Sequence, residues 1–260
     1  MLKILKYSFY DLMRSRWTYV YFLFYLLLGS VLLFLNNDLS KAVITLMNVI
    51  IILVPLIGTV FGIMYYYNSK EFTELLLAQP VRRSSIFIGQ YLGVALSLSL
   101  SLILGIGIPF LLYGLLQSNE IWDFVLLLVT GGFLTLIFSA LAFNIAIYNE
   151  NRIMGFSYAI LLWLFMAVIY DGLFLLSLIA FQDYPLDNFS IGATLFNPID
   201  LSRILILLKL DISALLGYTG AVFQKFFGTN QGFILALSAL SVWTLLPILN
   251  LNRKSIKKDF

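Results

Sequence analysis

The side chains that most often perform catalysis or bind metal ions are scarce in this sequence. It contains no cysteine and no histidine, and its six methionines include no pair at helical-neighbour spacing. Thiolate, imidazole and paired thioether ligands are therefore lacking, and the phosphate-binding pattern G-x-x-x-x-G-K-[ST] does not occur. We expect no catalytic residue, no metal site and no cofactor bound by this chain, so that any ATP and Mg²⁺ would be bound by a different subunit.

Charged residues interrupt the apolar sequence in the stretch ELLLAQPVRRSSIFIGQYLG, from Glu74 to Gly93. Pro80 lacks an amide donor and suits the first turn of a helix, so the stretch predicts a helix that stops, a sharp turn, and a short second helix within residues 78–89. A rigid tip of this kind could contact a partner, whereas a simple topological stop signal is the alternative explanation of an arginine pair beside a span. The predicted contact residues are Glu71, Glu74, Gln79, Pro80, Val81, Arg82 and Arg83.

A second polar turn runs from Tyr148 to Arg152 and contains Glu150. It would lie on the same side of the membrane as the proline turn, beside it. We interpret Glu150 and Arg152 either as a minor second contact with the same partner or as parts of a plain tight turn.

Asp171 lies in the apolar stretch MAVIYDGLF, and a carboxylate inside a membrane span is a functional candidate by default. It follows Ile153 by eighteen residues, at about 1.5 Å per residue. That length favours a hydrated position near the outer headgroups, with no functional role.

The elements that must position these residues are apolar runs of membrane-spanning length. The chain is 61% hydrophobic and 11% charged, with a mean hydropathy of +0.97. Because backbone groups within the hydrocarbon must be hydrogen-bonded internally, each run is predicted to be a helix. We expect an all-α integral membrane protein in which residues 1–260 form a single transmembrane domain. The six predicted spans are residues 17–35, 42–66, 86–116, 124–148, 153–181 and 232–251.

The distribution of lysine and arginine predicts the orientation. Six crossings place both termini on one side, and twelve of the sixteen basic residues fall on that side. The positive-inside rule therefore predicts cytoplasmic termini for a multi-pass protein. The same bias accounts for most of the basic residues behind the net charge of +3, so we expect no nucleic-acid partner.

The first sixteen residues, MLKILKYSFYDLMRSR, have apolar and basic helical faces. One face carries Leu2, Leu5, Phe9 and Leu12, and another carries Lys3, Lys6 and Arg14. The segment is either a helix in the plane of the headgroups, with its basic edge toward anionic lipid, or an ordinary basic flank of a span. In both cases it is an anchor, and membrane lipid is its expected partner.

About fifty residues separate the fifth and sixth spans. Arg203, Lys209, Asp211 and Lys225 interrupt every apolar run there before it reaches spanning length. We expect amphipathic or re-entrant helices packed on the outer mouth of the bundle. They either plug the bundle or bind a partner.

The proline turn resembles a signature of ABC-transporter permeases of the type 2 exporter class. The matching residues are Glu71, Glu74-Leu-Leu, Gln79-Pro-Val-Arg-Arg, Ile86 and Gly89. The resemblance implies that residues 78–89 are a coupling helix that docks on an ATPase subunit, which would bind ATP and Mg²⁺. The class commonly has lysine where this chain has Gln90, which weakens an electrostatic role for that position.

The stretch LFNPIDLSRILILLKLDISALLGYTGAVFQKFFG, from Leu195 to Gly228, resembles the NosY-like family, the membrane subunits of the ABC complex that matures the copper enzyme nitrous oxide reductase. This resemblance implies a homodimer in a bacterial inner membrane, with two cytoplasmic ATPase subunits and a periplasmic accessory protein. The residues expected to contact that protein or to form an outer gate are Asn197, Pro198, Asp200, Arg203, Asp211, Tyr218, Gln224, Phe226 and Phe227.

Several functions remain compatible with these motifs. The complex could export a small cargo such as a sulfur species, or it could control a periplasmic partner mechanically. The alternatives are a type 2 exporter for a lipid, an antibiotic or a peptide, and a membrane scaffold or channel that has no ATPase.

Overall fold

A computed structural model describes residues 1–36, 38–118, 120–181, 184, 186–209 and 218–257. These residues form helices joined by turns. The helices are α1 (Leu2–Met13), α2 (Arg16–Asn36), α3 (Leu39–Asn68), α4 (Lys70–Leu77), α5 (Arg83–Leu112), α6 (Ile121–Tyr148), α7 (Arg152–Leu164), α8 (Tyr170–Ala180), α9 (Asp187–Leu195), α10 (Pro198–Lys209), α11 (Tyr218–Phe227) and α12 (Asn230–Lys257), with a 3-10 turn at Leu115–Gln117 and a π-helical segment at Phe165–Ile169.

Six helices among the described residues are long and apolar enough to cross a membrane, which confirms the all-α, multi-pass fold. They are α2, α3, α5, α6, the continuous segment from α7 through the π-helical turn to α8, and α12, and we number them spans one to six. We call the end of the bundle that carries α1 and the last turns of α12 the terminal end, and the opposite end the distal end.

Spans two, three and four form the centre of the bundle. Within their most apolar windows 50%, 61% and 61% of the residues are buried, compared with 28%, 11% and 28% for spans one, five and six. Glycine permits the closest approach in this centre. A Cβ atom added at Gly62 of α3 would lie 2.9 Å from the Cβ atom of Ala142 in α6. Small residues therefore set the spacing of these helices, as is common between membrane helices.

Helix α1 packs along the first turns of α5, so its buried face contacts protein. Ile4, Ser8 and Leu12 form this face, with Ile4 beside Gly89 and Ser8 beside Gly93. The predicted apolar face is only partly buried, because Leu12 is buried, Leu5 and Phe9 are half-buried and Leu2 is exposed. The basic face is exposed as predicted, and its contacts are described below.

The proline turn differs from the prediction. The separate short helix is α4, Lys70–Leu77, which comes before Pro80, and α5 begins at Arg83 and continues into span three. A separate coupling helix at residues 78–89 is therefore wrong. Arg82 has an extended backbone, with φ −63° and ψ 123°, which prevents a helix from starting at the proline.

The described part of the segment between spans five and six forms α9, α10 and α11, each of which is too short to cross. Helices α9 and α10 are bent by 115° at the break between them, the geometry of a broken span or a re-entrant loop. Helix α10 packs against α3, α6 and α12 and buries most of its residues. Part of the segment therefore penetrates the bundle.

Candidate functional site

At the terminal end, α4, the turn at residues 78–82 and the first two turns of α5 form a braced unit that we call the terminal hairpin. Gln90 Nε2 donates to Thr73 Oγ1 at 2.8 Å, and both side chains are buried. Thr73 Oγ1 in turn donates to the carbonyl of Ser69 at 2.8 Å. A buried hydrogen bond therefore ties the two legs together, and Gln90 acts as a brace.

Helix α1 supports the terminal hairpin from one side. The rings of Tyr7 and Phe72 stack with their centroids 4.7 Å apart. At Gly93 an added Cβ atom would lie 2.6 Å from the Cβ atom of Ser8, so α1 and α5 are in close contact. These contacts hold both legs of the hairpin against a third helix.

The tip of the hairpin is exposed. Val81 N donates to the carbonyl of Gln79 at 2.7 Å, which closes a tight turn. The apolar side chain of Leu75 is 68% exposed and lies among charged residues. The ion pair between Lys70 and Glu74, 4.0 Å apart and half-exposed, contributes little stability. Glu71, Glu74, Gln79, Pro80, Arg82 and Arg83 are all exposed, and Val81 is half-buried.

The second polar turn lies beside the base of the hairpin. Tyr67, near the end of α3, donates through its hydroxyl to the carbonyl of Asn149 at 2.7 Å and lies 3.4 Å from that of Asn151. Glu150 and Arg152 are exposed next to these contacts, and the Arg152 guanidinium lies 5.7 Å from the centroid of the Phe156 ring. The structure therefore places both predicted contact turns at the terminal end, where Tyr67 links the end of α3 to the second turn.

The break between α9 and α10, residues 195–198, is held by hydrogen bonds of Asn197. We call this break the elbow. The Asn197 Oδ1 atom accepts from Ile199 N at 3.1 Å and caps α10, and Pro198 suits the first position of that helix. Its Nδ2 atom donates to the carbonyl of Met166 and to Asp200 Oδ2, each at 2.8 Å. Asn197 is only 1% exposed, so these bonds lie inside the protein.

The elbow reaches the middle of the neighbouring spans. Met166 follows the start of span five, Arg152, by 14 of its 29 residues. Trp243 donates through Nε1 to the carbonyl of Leu195 at 3.0 Å, and it lies 13 residues after Asn230 in the 28-residue α12. Both contacts place the elbow near half-length, which is the geometry of a re-entrant pair.

Arg203 joins the elbow helix to span five. Its Nη1 atom donates to Asp171 Oδ2 at 2.7 Å and to Asp200 Oδ1 at 3.2 Å. We call Asp171, Asp200 and Arg203 the distal triad. Nine residues of span five follow Asp171, and its position relative to the outer headgroups stays a prediction. Its contact with Arg203 makes Asp171 part of this candidate site.

The distal triad borders a cavity of about 220 Å³. The exposed fractions of the side chains of Arg203, Asp171 and Asp200 are 28%, 26% and 10%. One guanidinium facing two carboxylates leaves an excess negative charge when both are ionised, and a partly buried charge is costly unless it is paired. The arrangement suits a latch or gate between α10 and span five.

The other residues predicted to contact a periplasmic protein or to form an outer gate differ in their exposure. Pro198 and Phe227 are buried, whereas Gln224 and Phe226 are exposed on α11. Tyr218 is the first residue of α11, and Asp211 lies outside the described residues. The structure therefore joins Asn197, Asp200 and Arg203 in one site and leaves Phe226 exposed on α11 outside that site.

Sequence reasoning missed Tyr67, Thr73 and Gln90 and rejected Asp171. A weak signal exists for each, because a polar residue beside or within an apolar run needs a partner when it is buried. Asn197, Asp200 and Arg203 recur at intervals of three at the start of α10, a spacing that can bring side chains together, but the sequence analysis did not use it.

No family model matches this chain, and no curated protein sequence matches it. The resemblances to type 2 exporter permeases and to NosY-like subunits therefore stay predictions that depend on the quoted motifs. The geometry of the terminal hairpin and of the elbow supplies separate grounds for proposing a function.

Proposed function

We propose that this chain is the membrane subunit of an ATP-driven complex of the type 2 ABC-exporter kind. Two such subunits would work with two separate ATPase subunits, which would bind ATP and Mg²⁺ at the terminal end. The observation that carries the proposal is the terminal hairpin, whose tip is exposed and charged while its base is tied by the bond between Thr73 and Gln90.

A contact that transmits force must be stiff and must continue into the membrane. The second leg of the hairpin is α5 itself, which is span three and belongs to the buried centre of the bundle. A displacement of Arg82 or Arg83 would therefore move a core span directly. A flexible loop of the same composition would absorb the displacement.

The exposed apolar group on α4 favours a protein partner over a purely topological role. A basic residue that serves only the positive-inside rule needs no neighbouring apolar surface. Leu75 is 68% exposed beside Glu71 and Glu74, which is the combination expected of a contact surface with a polar rim. Glu150 and Arg152 would extend this surface.

For the distal side we propose contact with a periplasmic accessory protein, or an outer gate, in the maturation of the copper sites of nitrous oxide reductase. This places the terminal end in the cytoplasm of a bacterial cell. The outer-gate alternative has the more direct support, because Asn197, Asp200 and Arg203 converge with Asp171 on a single network inside the protein. The cargo would be a small species such as a sulfur compound, or force alone would be transmitted.

The test is affinity purification of the tagged chain from its native membrane, followed by identification of the proteins that accompany it. We expect a soluble ATPase subunit, and we expect the double substitution Arg82→Glu and Arg83→Glu to remove it. Loss of one partner of a desolvated charge contact typically costs about 2 to 5 kcal/mol. A matched control, Arg253→Glu with Lys254→Glu, makes the same charge change elsewhere at the terminal end and should keep the ATPase.

Two outcomes decide between the alternatives. If no ATPase accompanies the wild-type chain, the scaffold or channel function replaces the proposal. If an ATPase accompanies it but deletion of the gene leaves nitrous oxide reductase fully loaded with copper, the chain is an exporter for another cargo.

A further inference from the structure

A large basic cleft at the terminal end has no part in the proposed function. It measures about 930 Å³ and lies between α1, the start of α2, and the junction of α3 with α4. The two helices on one wall are joined by a short turn, and Thr18 Oγ1 donates across it to the carbonyl of Leu12 at 2.7 Å. The cleft is therefore bounded by packed helices.

The charge in the cleft is concentrated at its α1 side. Lys3, Lys6 and Arg14 line it and are all exposed, and Asp11 adds one carboxylate. The net charge of these four side chains is +2, from three cations and one anion. The cleft thus suits a ligand with a negative charge.

Most of the remaining lining is apolar or aromatic and continues into the spans, with Ser15, Asn68 and Ser69 as its polar members. Trp17 is the second residue of span one, and Met64 lies four residues before the end of span two. Tyr65 is 5% exposed, and its hydroxyl has no hydrogen-bond partner among the described residues, although Ser8 and Asp11 lie beside it. A ligand that filled the cleft would therefore meet the cations of α1 together with aromatic and apolar groups at the terminal ends of spans one and two.

We propose that this cleft binds one anionic glycerophospholipid of the adjoining leaflet. The phosphate would lie among Lys3, Lys6 and Arg14, and the glycerol and first acyl carbons would lie along Trp17 and Met64. A soluble phosphate would use only the cations of the lining, whereas a phospholipid would also use its apolar and aromatic residues. The inference depends on residence in the membrane and is independent of the ATPase.

Native mass spectrometry of the full chain in non-ionic detergent can measure this binding by titration with phosphatidylglycerol, phosphatidylcholine and phosphatidylethanolamine. We expect at least a tenfold preference for phosphatidylglycerol. Each basic residue near an anionic lipid contributes about fivefold in affinity, so the triple variant Lys3→Gln, Lys6→Gln and Arg14→Gln should bind it on the order of 100-fold more weakly. Binding of phosphatidylcholine should be unchanged.

Two further variants keep the proposal testable if the triple variant folds poorly. Arg152→Gln, Arg253→Gln and Lys254→Gln remove the same charge outside the cleft lining and should leave the preference intact. Asp11→Asn removes the carboxylate and should strengthen binding of phosphatidylglycerol about fivefold. Melting curves of all variants in lipid-free detergent check folding.

Each contrary outcome has a definite meaning. Equal binding of the three lipids, or equal losses in the cleft variant and its matched control, would overturn the proposal, because basic charge anywhere would then suffice. Displacement of phosphatidylglycerol by equimolar glycerol phosphate would show a site for the phosphate group alone and would also overturn it.

Discussion

Replacement of Arg203 by methionine should destabilise the distal side of the bundle. The substitution keeps most of the apolar stem and removes the guanidinium, which donates to Asp171 Oδ2 at 2.7 Å and to Asp200 Oδ1 at 3.2 Å. The two carboxylates would then lie close together across a cavity without their shared cation. The elbow would lose its ionic link to span five.

The magnitude follows from the two bonds. A hydrogen bond to a charged group contributes about 1.5 to 3 kcal/mol when it is buried. Arg203 and Asp171 are 28% and 26% exposed, so solvent screening reduces their contact to about 1 kcal/mol. The contact with Asp200, which is 10% exposed, keeps about 2 kcal/mol. We therefore expect a loss of about 3 kcal/mol in the free energy of unfolding.

Double-mutant cycles separate the two contacts. Asp171→Asn and Asp200→Asn keep the shape of each side chain, and each is combined with Arg203→Met. We expect a coupling energy of about 1 kcal/mol for the pair with Asp171 and about 2 kcal/mol for the pair with Asp200, since contacting residues couple by about 0.5 to 3 kcal/mol. Unfolding in mixed detergent micelles can be followed by tryptophan fluorescence, to which Trp243 at the elbow contributes.

A coupling energy below about 0.5 kcal/mol in both cycles would refute this reasoning, because distant sites that do not interact deviate from additivity by about that much. The distal triad would then not exist as a unit in the membrane. A matched control is Lys225→Met, which removes a cation from the exposed face of α11 and should change the free energy of unfolding by less than about 0.5 kcal/mol.

Two more predictions concern the brace and the topology. Gln90→Leu should lower the free energy of unfolding by only about 1 kcal/mol, because Thr73 keeps its bond to Ser69. Gln90→Lys should lower it by several kcal/mol, because an ammonium group would be desolvated at a fully buried position. Unfolding of both variants in detergent checks this order, and equal losses would contradict it. The chain has no cysteine, so a single introduced cysteine can report the topology. Lys225→Cys should react with an impermeant thiol reagent on intact cells, and Gln79→Cys should react only after lysis. The reverse pattern would invert the proposed topology.

The spans could be predicted from composition because the physical requirement is simple. A run of apolar residues that crosses hydrocarbon must be helical and about 20 residues long, and both conditions can be judged locally. The predicted start of span four, residue 124, differs from Ile121 by three residues. Differences of this size arise because polar residues such as Asp123 extend helices beyond the hydrocarbon.

The elbow was partly predictable for a similar local reason. Asn197 followed by Pro198 is a helix-start signal, since the amide caps the helix and the proline occupies its first position. The depth of the elbow was not predictable, because it depends on the bonds from Asn197 to Met166 and from Trp243 to Leu195. These partners are 31 and 48 residues apart in sequence.

The terminal hairpin shows why local signals misplace a helix. Pro80 is compatible with a helix start, but the chain first closes a tight turn from Gln79 to Val81, and Arg82 remains extended. The helix then begins at Arg83, where the apolar side chains that follow can pack on α1 and α6. Tertiary packing therefore decided a boundary that backbone preference alone left open.

Span five connects the two candidate sites. Tyr67 bonds to the turn just before it at the terminal end, and Asp171 bonds to Arg203 toward the distal end. Only 11% of the most apolar window of span five is buried. Its π-helical segment contains Met166, whose carbonyl accepts the bond from Asn197. π-helical turns occur frequently at functional sites, and a weakly packed helix moves at lower cost than a core span. Under the proposed function, span five is thus suited to carry a displacement of the terminal hairpin to the elbow. Tyr67→Phe would weaken this transfer without changing the charged residues of either site.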